Sequence, residues 1–396
     1  MTLPWLSLWP AAAVNFSYYA VLGGVISYLA ILLTSREFTS VEVGQLFATF
    51  TLLRVLSGQL WAYLSDRKND PLWFFQLGII LSFLSLLPAL LSEDKLLTSV
   101  SVVAAMTCFM SVVSQIEVLS LSAAQDKPTT YNRIRLFGSI GFIIAAVLVG
   151  ALVETRGPDF VVEFGLLSLL LTLIVSFKLN SSGQSSQQMF EQISDESFMQ
   201  RCLKPGFVAF MVASILLQVS FAPYVGFFTK FLAENGYQGI NIGILFSLGT
   251  FAEIFLFMFA GVVLAKYNIK LLMFVCLFLT SLRWLTVAVF VDSWFIVVIT
   301  QLVHALSFGL MHSVSIYFIR LHFSADQQNR GQFMYLGATY GLGGAIGASI
   351  TGITWNDGAG GSETFIWAAA CVFIAALLIL ITPRKNFQYD ASRDQV

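Results

Sequence analysis

Long apolar runs dominate this chain and restrict it to folds that a lipid bilayer can accommodate. About 20 apolar residues in a helix cross the ~30 Å hydrocarbon core, and the sequence contains twelve runs of roughly this length or longer. They cover approximately residues 5–33, 41–64, 72–91, 97–125, 131–153, 160–179, 205–232, 240–265, 269–291, 293–320, 331–354 and 363–382. Only 11% of the residues are charged, whereas soluble domains carry about 25%.

The spanning elements are expected to be helices. In hydrocarbon every backbone N–H and C=O group needs a partner, which a helix supplies within one segment and strands supply only in a closed barrel. The runs lack the alternation of polar and apolar residues that barrel strands show. Residues 5–33 are too long for the core of a cleavable signal peptide and follow no basic residue. We therefore predict an all-α polytopic membrane protein with twelve transmembrane helices.

The distribution of lysine and arginine predicts the orientation. With the N-terminus in the cytoplasm, 15 of the 21 basic residues fall in cytoplasmic loops and ends. The outer loops hold Arg36, Lys95 and Arg156, and the apolar runs hold Arg54, Lys230 and Arg283. Since basic residues are retained on the cytoplasmic side, both termini are predicted to be cytoplasmic.

A polar, Ser/Gln-rich stretch divides the runs into two sets of six. It covers residues 181–204, between an N-terminal bundle at 1–180 and a C-terminal bundle at 205–385, and a polar tail follows at 386–396. Its composition is that of a linker, in which we predict a helical part near residues 189–198. This organisation resembles the major facilitator superfamily of transporters, over nearly the whole chain. The resemblance implies two six-helix bundles with inverted repeats, and a location in the cell inner membrane.

The loop after the second run supports this resemblance. Asp66, Arg67 and Lys68 end the sequence A-Y-L-S-D-R-K, which is similar to the superfamily's G-x-x-x-D-R/K motif with alanine in place of glycine. An acid and two bases at a helix end could bridge helices and latch one conformation; the alternative is an ordinary solvated basic loop. The fifth run lacks the G-P-x-x-G-G signature of drug antiporters, which disfavours efflux but leaves it open.

Ionisable side chains lie near the middle of three consecutive runs. Glu253, Arg283 and His304 occupy the eighth, ninth and tenth, and His312 follows His304 on nearly the same helix face. A lone charge near the bilayer centre costs about 2.5–3.5 kcal/mol on insertion scales, so it normally has a partner, water or a function. We estimate depths of roughly 20 Å for Glu253, 17 Å for His304 and 12 Å for Arg283 from the outer ends. These depths would allow Glu253 to meet Arg283 or His304.

The spacing of one set of residues and the order of another resemble those of functional residues in lactose permease, a proton symporter of this superfamily. Glu117, Arg135 and Phe142 match the spacing of its acid, arginine and tryptophan at the sugar site, and Glu253, Arg283 and His304 match the order of its proton-linked residues. The chain departs from it in having Phe142 for the tryptophan and Ser307 where an acid is expected, and in lacking the acidic pair of helix seven and the lysine of helix eleven. The block Y-N-R-I-R-L-F-G-S-I-G-F at 131–142 looks more like the phenylpropionate permease branch, which is inferred to import aromatic acids with protons.

We predict proton coupling by Glu253, His304, Arg283 and His312. Burial favours a protonated carboxyl at Glu253 and a nearby arginine favours the ionised form, so substrate or conformation could decide between them. A static ion pair or a packing histidine is the alternative. Glu117 and Arg135 could instead form a cytoplasmic-side gate or brace. The predicted substrate-binding residues, on helices that line the cavity in this superfamily, are Arg54, Glu117, Arg135, Phe142, Asn15, Tyr18, Tyr19, Gln218 and Tyr224.

These features predict a proton-coupled importer of a small organic solute, with an aromatic or other monocarboxylate as the expected substrate. The alternatives are a sugar or nucleoside proton symporter, an exporter, or a membrane receptor or scaffold whose buried charges only brace helices. The sequence has neither a G-x-S-x-G nor an H-E-x-x-H motif, so an enzyme is not expected. We expect no cofactor or metal, the proton as coupling ion, no nucleic-acid partner, and a monomer in the bilayer.

Overall fold

The computed structural model describes residues 5–125, 127–179 and 196–387, and the regular structure within these ranges is helical. The first six predicted runs correspond to nine helices, because three runs contain a break. These are α1 (Trp5–Gly24), α2 (Leu29–Ser35), α3 (Ser40–Lys68), α4 (Pro71–Leu86), α5 (Pro88–Leu91), α6 (Lys95–Ser111), α7 (Val113–Ala123), α8 (Pro128–Arg156) and α9 (Phe160–Ser176).

The remaining helices begin with a short one before the seventh run. They are α10 (Phe198–Cys202), α11 (Pro205–Glu234), α12 (Gly239–Lys266), α13 (Ile269–Val289), α14 (Trp294–His304), α15 (Met311–His322), α16 (Gln328–Leu336), α17 (Gly344–Trp355) and α18 (Gly361–Ile381). The helix predicted over residues 189–198 lies mostly outside the described residues, as does most of the tail predicted at 386–396.

Every predicted apolar run coincides with one or two of these helices, so the all-α prediction is confirmed. In the part of the chain that the structure describes, nine spans are long and apolar enough to cross a membrane. The other three predicted runs, at 41–64, 160–179 and 331–354, are also helical. The number of membrane crossings stays a prediction.

Local sequence signals explain several helix ends. Thr39 and Glu42 form a reciprocal capping box at the start of α3, and Asn69 ends that helix in the left-handed conformation with a φ of 51°. The carboxylates of Asp70 and Asp94 accept the N–H groups of residues three positions later and so cap α4 and α6. These contacts satisfy backbone donors that a helix start leaves without a partner.

Two stretches of the described residues are π-helical instead of α-helical. They are Ala305–Leu310, between α14 and α15, and Gly337–Gly343, between α16 and α17. Such short π-helical insertions are rare and occur frequently at functional sites. The first begins directly after His304, one of the residues singled out from the sequence.

The described residues fall into two compact units. The first consists of Met1–Ser186, Tyr224–Phe251 and Ala348–Gly360, and the second of Gln187–Pro223, Ala252–Gly347 and Gly361–Val396. In the first unit α1 and α8 approach closely, since a Cβ on Gly23 would lie 2.3 Å from the carbonyl oxygen of Phe142. In the second unit Ser281 on α13 donates a hydrogen bond to the carbonyl of Ala369 on α18, at 2.9 Å. The predicted boundaries at 180, 204 and 385 stay predictions.

Candidate functional site

Three residues predicted to couple protons come together in the second unit. Nη1 of Arg283 on α13 lies 3.0 Å from Nδ1 of His304, the last residue of α14. Nε2 of the same imidazole lies 3.4 Å from Oε1 of Glu253 on α12. The side chains therefore form a chain from Arg283 through His304 to Glu253, which we call the charged trio. The predicted proximity of these residues is present in the structure.

The charge of Arg283 determines which nitrogen of His304 carries a proton. A guanidinium has only donors, so Nδ1 of His304 must accept the N–H of Arg283. A neutral His304 then carries its proton on Nε2, which faces the Glu253 carboxylate. The imidazole thus lies between the cation and the acid, and it accepts a hydrogen bond from the cation.

A fourth side chain holds Arg283 in place. Nη2 of Arg283 donates to Oε1 of Gln301 at 3.3 Å, and Nε2 of Gln301 donates to Oγ1 of Thr300 at 3.1 Å. Gln301 is fully buried and Arg283 is only 2% exposed. Gln301 was not predicted as a site residue, although its position three residues before His304 puts both on one helix face.

Aromatic rings enclose the charged trio. The ring of Phe308 lies parallel to the His304 imidazole with centroids 5.7 Å apart, and Phe221 meets it edge-on at 5.9 Å. The guanidinium carbon of Arg283 lies 4.2 Å from the ring centre of Trp284. Such surroundings exclude water, which strengthens electrostatic interactions among the enclosed groups.

Next to the trio is a cleft between α11 and the two π-helical segments. Its lining includes Gln218 and His312, both predicted as site residues, and its full set is Ser214, Leu217, Gln218, Phe221, Ser307, Phe308, Met311, His312, Tyr335, Thr339 and Tyr340. His312 does not touch the trio in the described contacts; its Nδ1 lies 3.3 Å from Oη of Tyr340. We refer to this feature as the π-segment cleft.

A second polar cluster lies in the first unit. Nε of Arg135 on α8 lies 3.3 Å from Oε1 of Glu117 on α7, and the hydroxyls of Tyr131 and Tyr19 also donate to Glu117. The guanidinium carbon of Arg135 lies 4.0 Å from the ring centre of Tyr19. Gly138 leaves room for this stacking, because a Cβ there would lie 2.6 Å from the Tyr19 ring. The sequence predicted three of these residues, and Tyr131 was missed.

Asn15 and Tyr18 lie beside this cluster but are each only 1% exposed. Asn15 donates to Oγ of Ser120 at 2.8 Å, and the hydroxyl of Tyr18 donates to the carbonyl of Phe109 at 3.2 Å. Both contacts join α1 to the fourth predicted run. Their binding of substrate stays a prediction.

Phe142 and Tyr224 belong to one aromatic stack in the first unit. Each packs against Phe246, at centroid distances of 5.8 Å for Phe142 and 5.3 Å for Tyr224, with nearly parallel planes. A planar aromatic surface is therefore present where a stacking tryptophan was expected from the resemblance. Its use in binding a ligand stays a prediction.

Arg54 lies on α3 in the first unit and is half-buried. Its Nη1 lies 3.8 Å from Sδ of Met110 on α6. At the C-terminal end of α3, Nζ of Lys68 lies 4.8 Å from the ring centre of Trp73. The substrate role of Arg54, and the latch role of Asp66, Arg67 and Lys68, stay predictions.

Neither polar cluster has the composition of a metal site. Residues 5–125, 127–179 and 196–387 contain no group of three or more His, Cys, Asp or Glu side chains that could hold a metal ion. The trio combines one carboxylate and one imidazole with a guanidinium, whose charge would repel a metal cation.

A polytopic helical chain with polar clusters inside apolar helices fits the class of membrane transporters. The chain belongs to the MFS_1 like family, whose family model matches residues 8–367. The predicted membership of the major facilitator superfamily is thereby confirmed.

Curated relatives of the chain are transporters. It is 24% identical over 311 residues to a probable 3-phenylpropionic acid transporter of Escherichia coli, covering 77% of this chain and 80% of that protein. It is 21% identical over 383 residues to a maltose permease of Geobacillus stearothermophilus, covering 94% of this chain and 93% of that protein. These relatives support the prediction that the chain is not an enzyme.

Solved structures identify the fold. The crystal structure of a mutant of the nucleoside transporter NupG matches with a TM-score of 0.82 at 17% identity, covering 94% of this chain and 99% of that one. At this identity the likeness shows the fold alone. The chain therefore has the major facilitator fold.

Proposed function

We propose that the protein imports a small aromatic or other monocarboxylate together with protons, by alternating access. The observation that carries the proposal is the chain of contacts from Arg283 to His304, at 3.0 Å, and from His304 to Glu253, at 3.4 Å, among buried side chains in a major facilitator fold. The relative from Escherichia coli, a probable 3-phenylpropionic acid transporter, supports an aromatic acid as substrate.

Charge balance explains how a proton and an anion would bind together. With Glu253 ionised, Arg283 protonated and His304 neutral, the trio has no net charge. A proton on Glu253 leaves the single positive charge of Arg283, which attracts a carboxylate. The loaded carrier then holds one extra proton and one extra anion, so its total charge does not change.

The net charge that moves with the substrate distinguishes a carboxylate from the alternative substrates. One proton with one monovalent anion moves no net charge, so a pH gradient would drive uptake and a membrane potential would not. One proton with a neutral sugar or nucleoside moves one charge, so an inside-negative potential would also drive that uptake. Maltose and nucleosides are worth testing because similar proteins carry those names.

The test is uptake into proteoliposomes that contain the purified protein. Labelled 3-phenylpropionate, maltose and uridine are compared under a pH gradient alone and under a potassium-diffusion potential alone. We expect 3-phenylpropionate to accumulate under the pH gradient, with no response to the potential. Potential-driven uptake of maltose or uridine, without any of the acid, would overturn the assignment of the substrate.

Glu253→Gln tests the coupling role directly. The neutral amide cannot exchange a proton, so we expect loss of pH-driven accumulation while exchange of internal for external substrate continues. Glu163→Gln on α9 is a matched control, because Glu163 is exposed and lies outside both clusters. Unchanged accumulation in Glu253→Gln would remove the proposed role, as would be the case for a receptor or scaffold with a static ion pair.

A further inference from the structure

An apolar groove lies between α1, α8 and α9 on the surface of the first unit, and we call it the α1–α8–α9 groove. Its volume is about 340 Å³, and every residue in its lining is apolar or aromatic. Ala12 and Ala13 on α1 leave this space open because their side chains end at Cβ, while Phe16, Phe137 and Val175 border it. Small-molecule sites usually have volumes of about 300–1,000 Å³ and mostly apolar walls. The groove is therefore large enough to hold part of a hydrocarbon chain.

The groove lies near those ends of its three helices that are predicted to face the cytoplasm. Trp9 is close to the start of α1, and Val175 is next to the last residue of α9. Leu8 on α1 and Ile134 on α8 belong to a buried cluster against which Leu179 packs, so the three helix ends are held together. Trp9 is 43% exposed, and tryptophans favour the boundary between hydrocarbon and lipid head groups. This end of the groove therefore lies close to the level of the head groups.

Two basic side chains lie one helical turn beyond the lining, towards the same end. Arg133 precedes Phe137 by four residues on α8. Lys178 follows Val175 by three residues, and its backbone N–H donates to the Val175 carbonyl at 2.9 Å, so the turn continues past α9. Residues three or four apart share a helix face, about 4.5–6 Å apart along the axis. Both basic residues are exposed, and they are placed at the mouth of the groove.

The lack of an acidic partner distinguishes these two cations. Arg135, on the same helix as Arg133, lies 3.3 Å from Glu117. By contrast, neither Arg133 nor Lys178 forms an ion pair with another of the described residues. Basic residues are common on the cytoplasmic side of membrane proteins, so their presence alone identifies no ligand. Two such cations beside an apolar groove, however, match the two parts of an anionic phospholipid.

We propose that the α1–α8–α9 groove binds an anionic phospholipid, with one acyl chain against Ala12 and Ala13 and the phosphate between Arg133 and Lys178. Phosphate oxygens accept charge-assisted hydrogen bonds from both kinds of side chain. Basic pockets between membrane helices bind anionic head groups in this way. The lipid would contact all three helices and stabilise the folded protein by mass action. Its binding uses no group of the charged trio and is independent of the solute that the protein carries.

Native mass spectrometry of the purified full-length protein in detergent tests the preference for an anionic lipid. Dioleoylphosphatidylglycerol and dioleoylphosphatidylcholine are titrated separately. We expect the anionic lipid to bind about tenfold more tightly, because each basic side chain near a head group adds attraction. Glycerol 3-phosphate, which has the charge without the chains, should not displace it. Equal affinities of the two lipids, or displacement by glycerol 3-phosphate, would overturn the proposal.

A double variant, Arg133→Gln with Lys178→Gln, tests the head-group contacts. It should lower the affinity for the anionic lipid to that for the zwitterionic lipid and leave the latter unchanged. Arg384→Gln with Lys385→Gln is the matched control, because it removes the same charge from exposed positions after α18. A preference that persists in the first double variant, or that falls equally in both, would overturn the proposal.

Ala13→Phe tests the acyl-chain contact by filling the groove, and it should weaken the binding of both lipids. Ala370→Phe is the control, because Ala370 is exposed on α18 and does not line the groove. Equal binding by the two variants would overturn the proposal. Dimers that persist in lipid and disappear in Ala13→Phe would assign the groove to a second copy of the chain and overturn it as well.

A measurement that leaves the groove intact covers the case in which Ala13→Phe does not fold. Phosphatidylglycerol and phosphatidylcholine with brominated acyl chains quench the fluorescence of nearby tryptophans. The emission of Trp9 is the difference between the unmodified protein and Trp9→Phe. We expect brominated phosphatidylglycerol to quench this emission at a several-fold lower concentration than brominated phosphatidylcholine does. Equal quenching by both lipids would place the anionic lipid elsewhere and overturn the proposal.

Discussion

Asp357 and Ser40 hydrogen-bond to each other in both directions although 317 positions separate them. The backbone N–H of Ser40 donates to Oδ1 of Asp357 at 2.6 Å, and the backbone N–H of Asp357 donates to Oγ of Ser40 at 3.0 Å. Ser40 is the first residue of α3, so the carboxylate lies at the positive end of a helix dipole. Both residues belong to the first unit, at predicted outer ends of the second and eleventh runs.

This contact should make stability depend on pH. The backbone N–H of Ser40, and then its hydroxyl, hold the pKa of the Asp357 carboxyl below its usual value. A lowered pKa means that the contact stabilises the folded protein at neutral pH and that this contribution is lost as the pH falls through the lowered value. We predict that Asp357→Ala lowers the melting temperature by about 1–3 °C at pH 7, as expected for loss of a helix cap.

The difference in melting temperature between Asp357→Ala and the unmodified protein should shrink as the pH falls below about 4, which is the usual pKa of an aspartate. Differential scanning fluorimetry across about pH 2–7 measures this difference, because the contribution of a carboxyl with a lowered pKa is lost only well below its normal value. Asp292→Ala, at an exposed turn of the second unit, is the control. A difference that stays constant over this range would show that the Asp357 carboxylate does not act as a cap.

Gly44 and Gly352 allow α3 and α17 to approach each other near this contact. A Cβ on Gly352 would lie 2.6 Å from the carbonyl oxygen of Ser40, and one on Gly44 would lie 2.6 Å from that of Ala348. We predict that Gly352→Trp forces these predicted outer ends apart and reduces uptake at least tenfold, because the packed arrangement cannot form. Gly261→Trp is the control, since among the described residues a Cβ at that position would have no neighbour within 4 Å apart from its adjacent residues and the backbone of its own helix.

The alkylation rate of a Val43→Cys variant would report whether the outer ends of α3 and α17 have separated. Val43 is fully buried in the first unit, so a cysteine there should react slowly when the protein's own cysteines are replaced. Gly352→Trp should raise its alkylation rate. An unchanged rate, together with lost uptake, would mean that the tryptophan blocks transport by some means other than separation of these helices.

Two substitutions of His304 should separate hydrogen bonding from packing. A glutamine can accept from Arg283 and donate to Glu253 as the imidazole does, whereas a phenylalanine preserves only ring packing. We predict that His304→Gln retains about tenfold more pH-driven uptake than His304→Phe, a difference of the order of one buried hydrogen bond. Substrate exchange should differ less between the two. Equal uptake by both variants would reduce His304 to a packing residue.

Arg135→Lys tests whether the Glu117 cluster binds substrate or braces helices. The side chains of Arg135 and Glu117 are 35% and 33% exposed, and pairs that are open to solvent contribute only about 0–1 kcal/mol to stability. We therefore predict little change in melting temperature but at least a fivefold rise in KM, because lysine lacks the planar fork that stacks on Tyr19. A lower melting temperature with an unchanged KM would identify a brace.

Several features were accessible from the sequence because each depends on local composition. Lipid imposes helices on apolar runs, so the run positions matched the helices throughout. The order Glu253, Arg283, His304 on consecutive helices, with similar depths, was enough to predict that these side chains approach one another.

Other features depend on contacts between distant residues and could not be predicted. The π-helical segment after His304 has no single sequence signal, and the unpaired hydroxyl of Ser214 becomes evident only once its neighbours are placed. Tyr131 begins the block at 131–142 that resembles the phenylpropionate permease branch. Its hydrogen bond to Glu117, however, depends on how α8 packs on α7. Tertiary packing, rather than local pattern, decides such partners.

The partners of Arg36 also depend on tertiary packing and could not be predicted from the sequence, and they lead to a last prediction. The sequence predicts only that Arg36 lies in an outer loop. The residue is 7% exposed and donates to Oδ1 of Asp159 at 2.7 Å and to the carbonyl of Ala89 at 2.8 Å. Its Nη1 also donates to Oγ1 of Thr98 at 3.1 Å. One guanidinium on the segment that follows α2 thus joins α5, α6 and the residue that precedes α9.

We predict that Arg36→Ala destabilises the protein by about 2 kcal/mol, because it leaves several buried acceptors without donors. Arg36→Lys should recover only part of this loss, since an ammonium group cannot reach acceptors in three directions as the planar guanidinium does. Chemical denaturation in detergent micelles, followed by tryptophan fluorescence, measures the free energy of unfolding. Arg156→Ala is the control, because Arg156 is exposed and its guanidinium carbon lies 5.6 Å from the ring centre of Phe160. Equal effects of Arg36→Ala and Arg156→Ala would mean that the bonds of Arg36 add nothing to the stability of the first unit.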